Sequence, residues 1–293
     1  MQILNWGRRL TKEVVGKTPR NAIKLDLAKW ERDGYYVLPG FYEPEQIDEI
    51  LQAQSLAWKS QAPRIVVDDL MTGERLKLAD VSGHARQAHR FKVNDLFLES
   101  AVIRSAGLNQ KLTPILRTLL GHTPVLCNSL SFQQGSNQPD HVDALYMTPQ
   151  TNGHLIAIWI ALEDCHPDAG PLRYFPGSHR IPPYVFSNGL HHFVPDEMSE
   201  WESYMQSQVR ALGLEPTVFP ARKGDVFVWS CYLLHGGSPI VDTTLTRKSL
   251  VFHYYSEHDA RRTNSHIIPD SGGFWLHRAH QPVGEAPGEF PPL

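Results

Sequence analysis

Between residues 23 and 121 the apolar positions recur mostly at helical intervals. Ile23, Leu27 and Trp30 share one stripe of a helix predicted over 23–33, with Gly34 as its C-cap. The run Tyr35-Tyr36-Val37-Leu38 predicts a strand that Pro39-Gly40 ends. Glu43-Pro44-Glu45 opens a second helix with proline and acid in its first turn, and Ile47, Ile50, Leu51 and Trp58 continue it. Leu112, Ile115, Leu116, Leu119 and Leu120 predict another helix, stopped by Gly121. Beyond Gly121 the pattern becomes short β-rich runs at 125–132, 141–147, 154–163, 225–233 and 248–256. Turn signals such as Asp168-Ala-Gly-Pro171, Pro176-Gly-Ser178 and Lys223-Gly-Asp225 separate them, as in a barrel or sandwich. The pattern predicts a mainly β protein with flanking α-helices, one domain over 1–293. Within it, 1–121 is mostly helical and packs on a barrel core over 122–256, and 257–293 is a C-terminal extension with a proline-rich end that is extended or disordered.

Composition narrows the class. With 41% hydrophobic and 20% charged residues, the 293-residue chain is too apolar for disorder and too polar for a membrane protein. No run approaches the ~18 apolar residues that a membrane helix needs, and the N-terminal Met-Gln-Ile-Leu-Asn-Trp-Gly-Arg-Arg lacks an apolar leader core. A net charge of −3 with no basic run longer than a pair, as at Arg8-Arg9, Arg222-Lys223 and Arg261-Arg262, argues against a nucleic-acid surface. Cys127, Cys165 and Cys231 show no C-x-x-C spacing and read as small buried apolar residues, so the expected compartment is the cytoplasm. Fifteen histidines are the unusual element, and histidine is the commonest ligand of transition metals.

Two His-x-Asp pairs exist. His166-Pro167-Asp168 runs into a turn, whereas His141-Val142-Asp143 continues into Ala-Leu-Tyr-Met as a predicted strand, where alternate side chains leave one face. His235 closes the apolar run from Val226 and precedes Gly236-Gly237. Two histidines and one carboxylate compose the facial triad of non-haem Fe(II) oxygenases, yet the same residues equally suit a satisfied structural His–Asp pair. Arg247, at the start of the strand Ser249–Tyr255, is either a fork for a planar carboxylate or a surface arginine beside Lys248.

The motifs fall in order along the chain: Asp33-Gly-Tyr-Tyr-Val-Leu-Pro-Gly-Phe41, Gly135-Ser-Asn-Gln-Pro-Asp-His141-Val-Asp143, His154-Leu-Ile-Ala-Ile-Trp159 through Glu163-Asp164, Gly170-Pro-Leu-Arg-Tyr-Phe-Pro-Gly-Ser-His179, Lys223-Gly-Asp225, His235-Gly and Arg247. This series, spanning about residues 25 to 256, resembles the phytanoyl-CoA dioxygenase-like branch of Fe(II)/2-oxoglutarate-dependent dioxygenases. The resemblance implies a double-stranded β-helix, the jelly-roll or cupin-like core, with Fe(II) on His141, Asp143 and His235 and the 2-oxoglutarate carboxylate on Arg247. It implies O2 as the other cosubstrate, a contact from Trp159, and further contacts from Asn128 and Lys92. The family's serine two positions after the distal histidine is Gly237 here, and Ser238, which follows, is the candidate for its contact with the cosubstrate. Asp143 stands where halogenating relatives carry a small residue, which points to hydroxylation, desaturation or ring formation with release of succinate and CO2.

Strand alternation puts Leu155, Ala157, Trp159 and Ala161 on one face and Ile156, Ile158, Ile160 and Leu162 on the other, so the small residues beside Trp159 suit a cavity wall. Phe132, Gln133, Met147 and Trp229, with Tyr146 and Tyr232, are substrate-pocket candidates or core fillers. His179 is expected to order its loop, and His253, which shares strand parity with Arg247, reads as a structural histidine; His191 and His192 receive no role. The expected partner is a small-molecule metabolite, with no nucleic acid or membrane involved. The rivals are a cupin-like metalloenzyme that does not use 2-oxoglutarate and a barrel that binds a metal or ligand without turnover.

Overall fold

Asp26 starts the first helix by accepting a hydrogen bond from the Lys29 amide at 3.1 Å, and Gly34 ends it in the left-handed region at φ 76°. This helix, α1 (Leu27–Asp33), leads into β1 (Tyr35–Leu38), and Glu43 with Gln46 forms the capping box of α2 (Pro44–Ser60). The computed structural model describes residues 25–284; Ile23, the N-terminal stretch with Arg8-Arg9, and the proline-rich end past residue 284 lie outside them.

Next come β2 (Val66–Asp69), β3 (Arg75–Lys77), α3 (Gly83–Ala88) and β4 (Phe91–Asn94), followed by α4 (Ala101–Gly107) and α5 (Leu112–Leu120). Strands β2, β3 and β4 are absent from the sequence expectation, which placed one strand in this third of the chain. Each has three or four residues, and charged Asp68, Asp69, Arg75 and Lys92 interrupt the apolar signal, so no alternation is readable. The remainder runs β5 (Pro124–Phe132), β6 (Leu155–Ala161), β7 (Leu172–Tyr174), α6 (Met198–Ala211), β8 (Thr217–Val218), β9 (Val226–Ser230), β10 (His235–Gly237), β11 (Ser249–Ser256), α7 (Glu257–Arg262), β12 (Ile267–Asp270) and β13 (Gly273–Leu276).

The larger sheet has the order β1-β9-β6-β11-β5-β4-β2-β3, with the β12–β13 hairpin joined to β5, and the smaller one is β10-β7-β8. All pairings are antiparallel except β13 with β5. Such mainly antiparallel sheets with peripheral helices are the mainly β class expected. Alternation along β6 sorts two cores as predicted. Ile156, Ile158, Ile160 and Leu162 join Val226, Val228 and Phe252 under the helices, whereas Ala157, Trp159 and Ala161 meet Leu172 and Tyr174 of the smaller sheet. The second cluster forms the floor on which the polar site is built.

One predicted strand does not form. After His141, whose N–H and C=O exchange hydrogen bonds with His235, the chain turns into a 3-10 helix over Asp143–Leu145. The Ala144 amide is taken by the Cys231 carbonyl and the Met147 amide by Asp143, so the ladder stops at the bridge. Cys127 and Cys231 are buried as expected, but Cys165 is only half-buried; all three thiols are free. Among the described residues no helix is long and apolar enough to cross a membrane.

His179 orders its loop as its motif suggested: Nε2 lies 3.1 Å from the Glu31 carbonyl, and the ring covers Gly34. A Cβ on Gly34 would stand 2.3 Å from His179 Nδ1 at a φ that side chains avoid. Gly34→Ala is therefore expected to destabilise the protein by roughly 1–3 kcal/mol, measured by urea unfolding.

Candidate metal centre

The His141–His235 bridge sets two imidazoles side by side, with ring centroids 4.3 Å apart. Each ring is turned by the carbonyl two residues before it, His141 Nδ1 to Pro139 O and His235 Nδ1 to Leu233 O, both at 2.9 Å. Donation from Nδ1 leaves each Nε2 with its lone pair facing inward, the tautomer a metal requires. The 3-10 turn brings Asp143 against both: Oδ1 is 3.8 Å from His141 Nε2 and 3.6 Å from His235 Nε2. Among the described residues His141, Asp143 and His235 form a group whose ligand atoms all lie within 4.8 Å of one another, all buried.

The charges suit a cation. Burial and the neighbouring His235 push His141 down to about 3, so its imidazole is neutral at physiological pH. Burial by itself raises the Asp143 carboxyl, but His235 and His253 outweigh it and hold it below the ordinary carboxylate range. Two imidazole nitrogens and one carboxylate oxygen on one side of a point are the donor set of a facial triad.

Two residues that sequence left without this role hold Asp143. Trp229 of β9 donates from Nε1 to Oδ2 at 2.8 Å, so a residue read as pocket or core filler orients the carboxylate. His253 of β11 puts Nε2 3.6 Å from the same oxygen, while its Nδ1 lies 2.9 Å from Asn128 Oδ1. Asn128 passes the contact on through Nδ2 to Asp95 at 2.9 Å, and Asp95 pairs with Arg278 at 2.9 Å. The parity of His253 with Arg247 was the available signal. It is hydrogen-bonded like a structural histidine and also borders the triad. Trp229→Phe is expected to weaken Fe(II) binding about 10–100-fold with little change in stability, read by anaerobic metal titration.

Arg247 and Trp159 share a pocket of about 60 Å3 with the triad. Arg247 is buried, its Nη1 donates to the Gly170 carbonyl at 3.0 Å, and its Cζ lies 5.7 Å from the Trp159 ring. Burial lowers its pKa to about 10, so it stays charged at neutral pH. Arg247 Nε and Trp159 Nε1 are buried without a hydrogen-bond partner among the described residues. Two unmet donors beside the triad fit a carboxylate ligand.

A second cavity of about 360 Å3 opens from the triad between Asn128, Phe132, Met147 and Lys92. Phe132 and Met147 line it as candidates should. Lys92 pairs with Asp68 at 2.7 Å, and both ends of the Asn128 amide are taken by His253 and Asp95. Ser238 and Gln133 line neither cavity. The Ser238 amide bonds Pro171, and the exposed Gln133 contributes its carbonyl, which accepts from the Arg247 amide at 3.0 Å. Tyr146 lines the larger cavity, whereas Tyr232 faces away and donates to Asn152 at 2.6 Å.

Residues 30–248 match the phytanoyl-CoA dioxygenase (PhyH) family model. The chain belongs to the phytanoyl-CoA dioxygenase family. Phytanoyl-CoA dioxygenase domain-containing protein 1 of Mus musculus is 23% identical to it over 308 residues, spanning 91% of this chain and 97% of the mouse protein. A homologue in Caenorhabditis elegans is 24% identical over 191 residues, covering 52% and 63%. Among solved structures, EctD from S. alaskensis with 2-oxoglutarate and 5-hydroxyectoine matches with TM-score 0.60 and 19% identity over 94% of this chain and 91% of EctD. SnoK, a non-haem α-ketoglutarate-dependent carbocyclase from nogalamycin biosynthesis, matches with TM-score 0.60 and 16% identity over 88% and 96%. These likenesses establish that this family member has the jelly-roll core of that enzyme group.

Proposed function

We propose that this phytanoyl-CoA dioxygenase family member is an Fe(II)- and 2-oxoglutarate-dependent dioxygenase that hydroxylates a small-molecule metabolite, releasing succinate and CO2. The observation that carries the reading is the meeting of the inward-facing His141, Asp143 and His235 with the unmet donors of Arg247 and Trp159 in one pocket. Structurally similar EctD is solved with Fe and with 2-oxoglutarate, and the donor set here fits both groups.

His141, Asp143 and His235 would hold Fe(II), with Arg247 on the far carboxylate of 2-oxoglutarate. Together with O2 these groups supply an oxidant that takes hydrogen from an unactivated C–H bond and returns oxygen to the carbon. The chain does the rest. Trp229 and His253 keep the Asp143 carboxylate turned toward the imidazoles, so Asp143 cannot swing away when ligands exchange. Burial of Arg247 beside Leu172, Val251 and Trp159 excludes water and makes its charge more effective toward a carboxylate. The larger cavity, bounded by Phe132, Tyr146 and Met147, presents the substrate to the triad from the side facing Lys92 and Asn128.

Purified protein given Fe(II) and 2-oxoglutarate without O2 is expected to develop a visible charge-transfer band, and on admitting O2 to form succinate in step with O2 consumed. Neither band nor succinate would remove the reading in favour of a metal site that does not use 2-oxoglutarate. With a turned-over metabolite, mass spectrometry decides the outcome: a product gaining one oxygen atom is hydroxylated, and one losing two hydrogens is desaturated or cyclised.

A further inference from the structure

The wall of the larger cavity formed by β2, β3 and β4 carries a charged cluster that the metal site does not use. Asp68, Arg75 and Lys92 sit on one face of three adjacent strands, where the register sets Asp68 opposite both Arg75 and Lys92. Arg75 spends two of its nitrogens on Asp68, Nε to Oδ1 at 2.7 Å and Nη2 to Oδ2 at 3.2 Å, and Lys92 Nζ reaches Oδ2 at 2.7 Å. Asp68 is fully buried and the Arg75 side chain is 1% exposed. Burial raises the Asp68 carboxyl, and Arg75 and Lys92 outweigh that and hold it below its ordinary value, so the carboxyl is ionised.

Two positive charges then face one negative charge. The other buried carboxylates nearby are committed elsewhere: Asp69 pairs with His89, Asp95 with Arg278, and Asp143 belongs to the triad. Within the cluster one positive charge is therefore left over at a largely buried wall, where Lys92 alone keeps its side chain partly exposed, at 17%, and such an arrangement is costly unless something else neutralises it. The unmet donors lie at the same wall. Arg75 Nη1 and Asn94 Nδ2 are buried with no partner among the described residues, and both residues line the cavity. Buried donors of this kind are nearly always satisfied in a functioning state. Arg75 lies on the far side of β4 and β2 from β5, three strand spacings or roughly 14 Å. Arg247 lines the smaller adjoining pocket, which Arg75 does not.

We propose that the substrate is a monocarboxylate whose carboxylate is held by Arg75 and Asn94 at this wall, so that the rest of the molecule spans the cavity toward the triad. This deepens the dioxygenase reading and rests on it for the word substrate. One carboxylate balances the surplus charge and accepts from both unmet donors. A cavity of about 360 Å3 suits a small metabolite.

The probes are acetate, butyrate, hexanoate and phenylacetate, each paired with its primary amide, titrated calorimetrically at neutral pH into the protein loaded anaerobically with Fe(II) and 2-oxoglutarate. At least one carboxylate is expected to bind about tenfold or more tightly than its amide, the scale of one charge-assisted hydrogen bond. Failure of every carboxylate to exceed its amide overturns the proposal with no variant needed. In Arg75→Gln the preference should fall to near unity, and in Asn94→Ala, which leaves the ion pairs intact, it should fall severalfold. Retention of the full preference in both overturns it too. The affinity for 2-oxoglutarate, read from the charge-transfer band, should stay within about twofold of the parent in both variants; a large loss would assign Arg75 to the cosubstrate instead. The two readings fail separately, because a carboxylate preference without O2-coupled succinate keeps the site and removes the dioxygenase, and the converse removes only the site.

Discussion

Asp143→Ala is expected to lower Fe(II)-dependent succinate formation more than ~100-fold, beyond the 10–100-fold typical of residues that only support a ligand. Asp143 is the oxygen donor of a group whose other members are the imidazoles of His141 and His235, and without it the site presents no carboxylate to a hard divalent cation. The fold should survive. The substitution strands Trp229 Nε1 and removes the carboxylate that faces His235 and His253, a combined cost of about 2 kcal/mol. Urea unfolding of the metal-free proteins should agree within about 2 kcal/mol while activity collapses. Succinate formation within tenfold of the parent would take Asp143 off the metal.

Arg247→Met should show the opposite division between stability and function. A buried guanidinium with no carboxylate partner among the described residues, bonded only to the Gly170 carbonyl, is a cost to the free protein, as the fall of its pKa to about 10 by burial records. Methionine fills similar space without the charge, so the metal-free variant is expected to be no less stable than the parent. Removing one partner of a desolvated charge pair costs about 2–5 kcal/mol in binding, so the KM for 2-oxoglutarate should rise at least ~30-fold. Arg247→Lys should not restore it, because an ammonium lacks the planar fork. An unchanged KM in Arg247→Met would show that the cosubstrate carboxylate binds elsewhere. The pairing of unaltered stability with lost affinity separates this role from structural support.

Much of the candidate site is readable along the chain. His141 and Asp143 stand two apart, His235 closes an apolar run before two glycines, and Arg247 opens the last long strand. Each is a local pattern. Even so, the reason given for the first pair does not hold in three dimensions: Asp143 reaches the imidazoles through a 3-10 turn and not along a strand face. The three short strands of the N-terminal third were unreadable because runs of three or four residues carrying charges look polar, and the buried Asp68 finds its partners, Arg75 and Lys92, only on the neighbouring strands. Lys92, which family resemblance linked to the cosubstrate, is bound to Asp68. No property of residue 92 by itself announces a partner on a neighbouring strand.

The sequence by itself determined the element class and the inward and outward faces of β6, because periodicity depends on backbone geometry within a few residues, and the ordered motifs, through the family resemblance they carry, singled out the three candidate ligands and their arginine. Tertiary structure alone decided which groups support them. Trp229 and His253 meet Asp143, Asn128 turns to His253, and Arg75 keeps a free donor at the cavity wall. These contacts join strands far apart in the chain. Their existence depends on strand order and register, which long-range packing settles and no local pattern encodes.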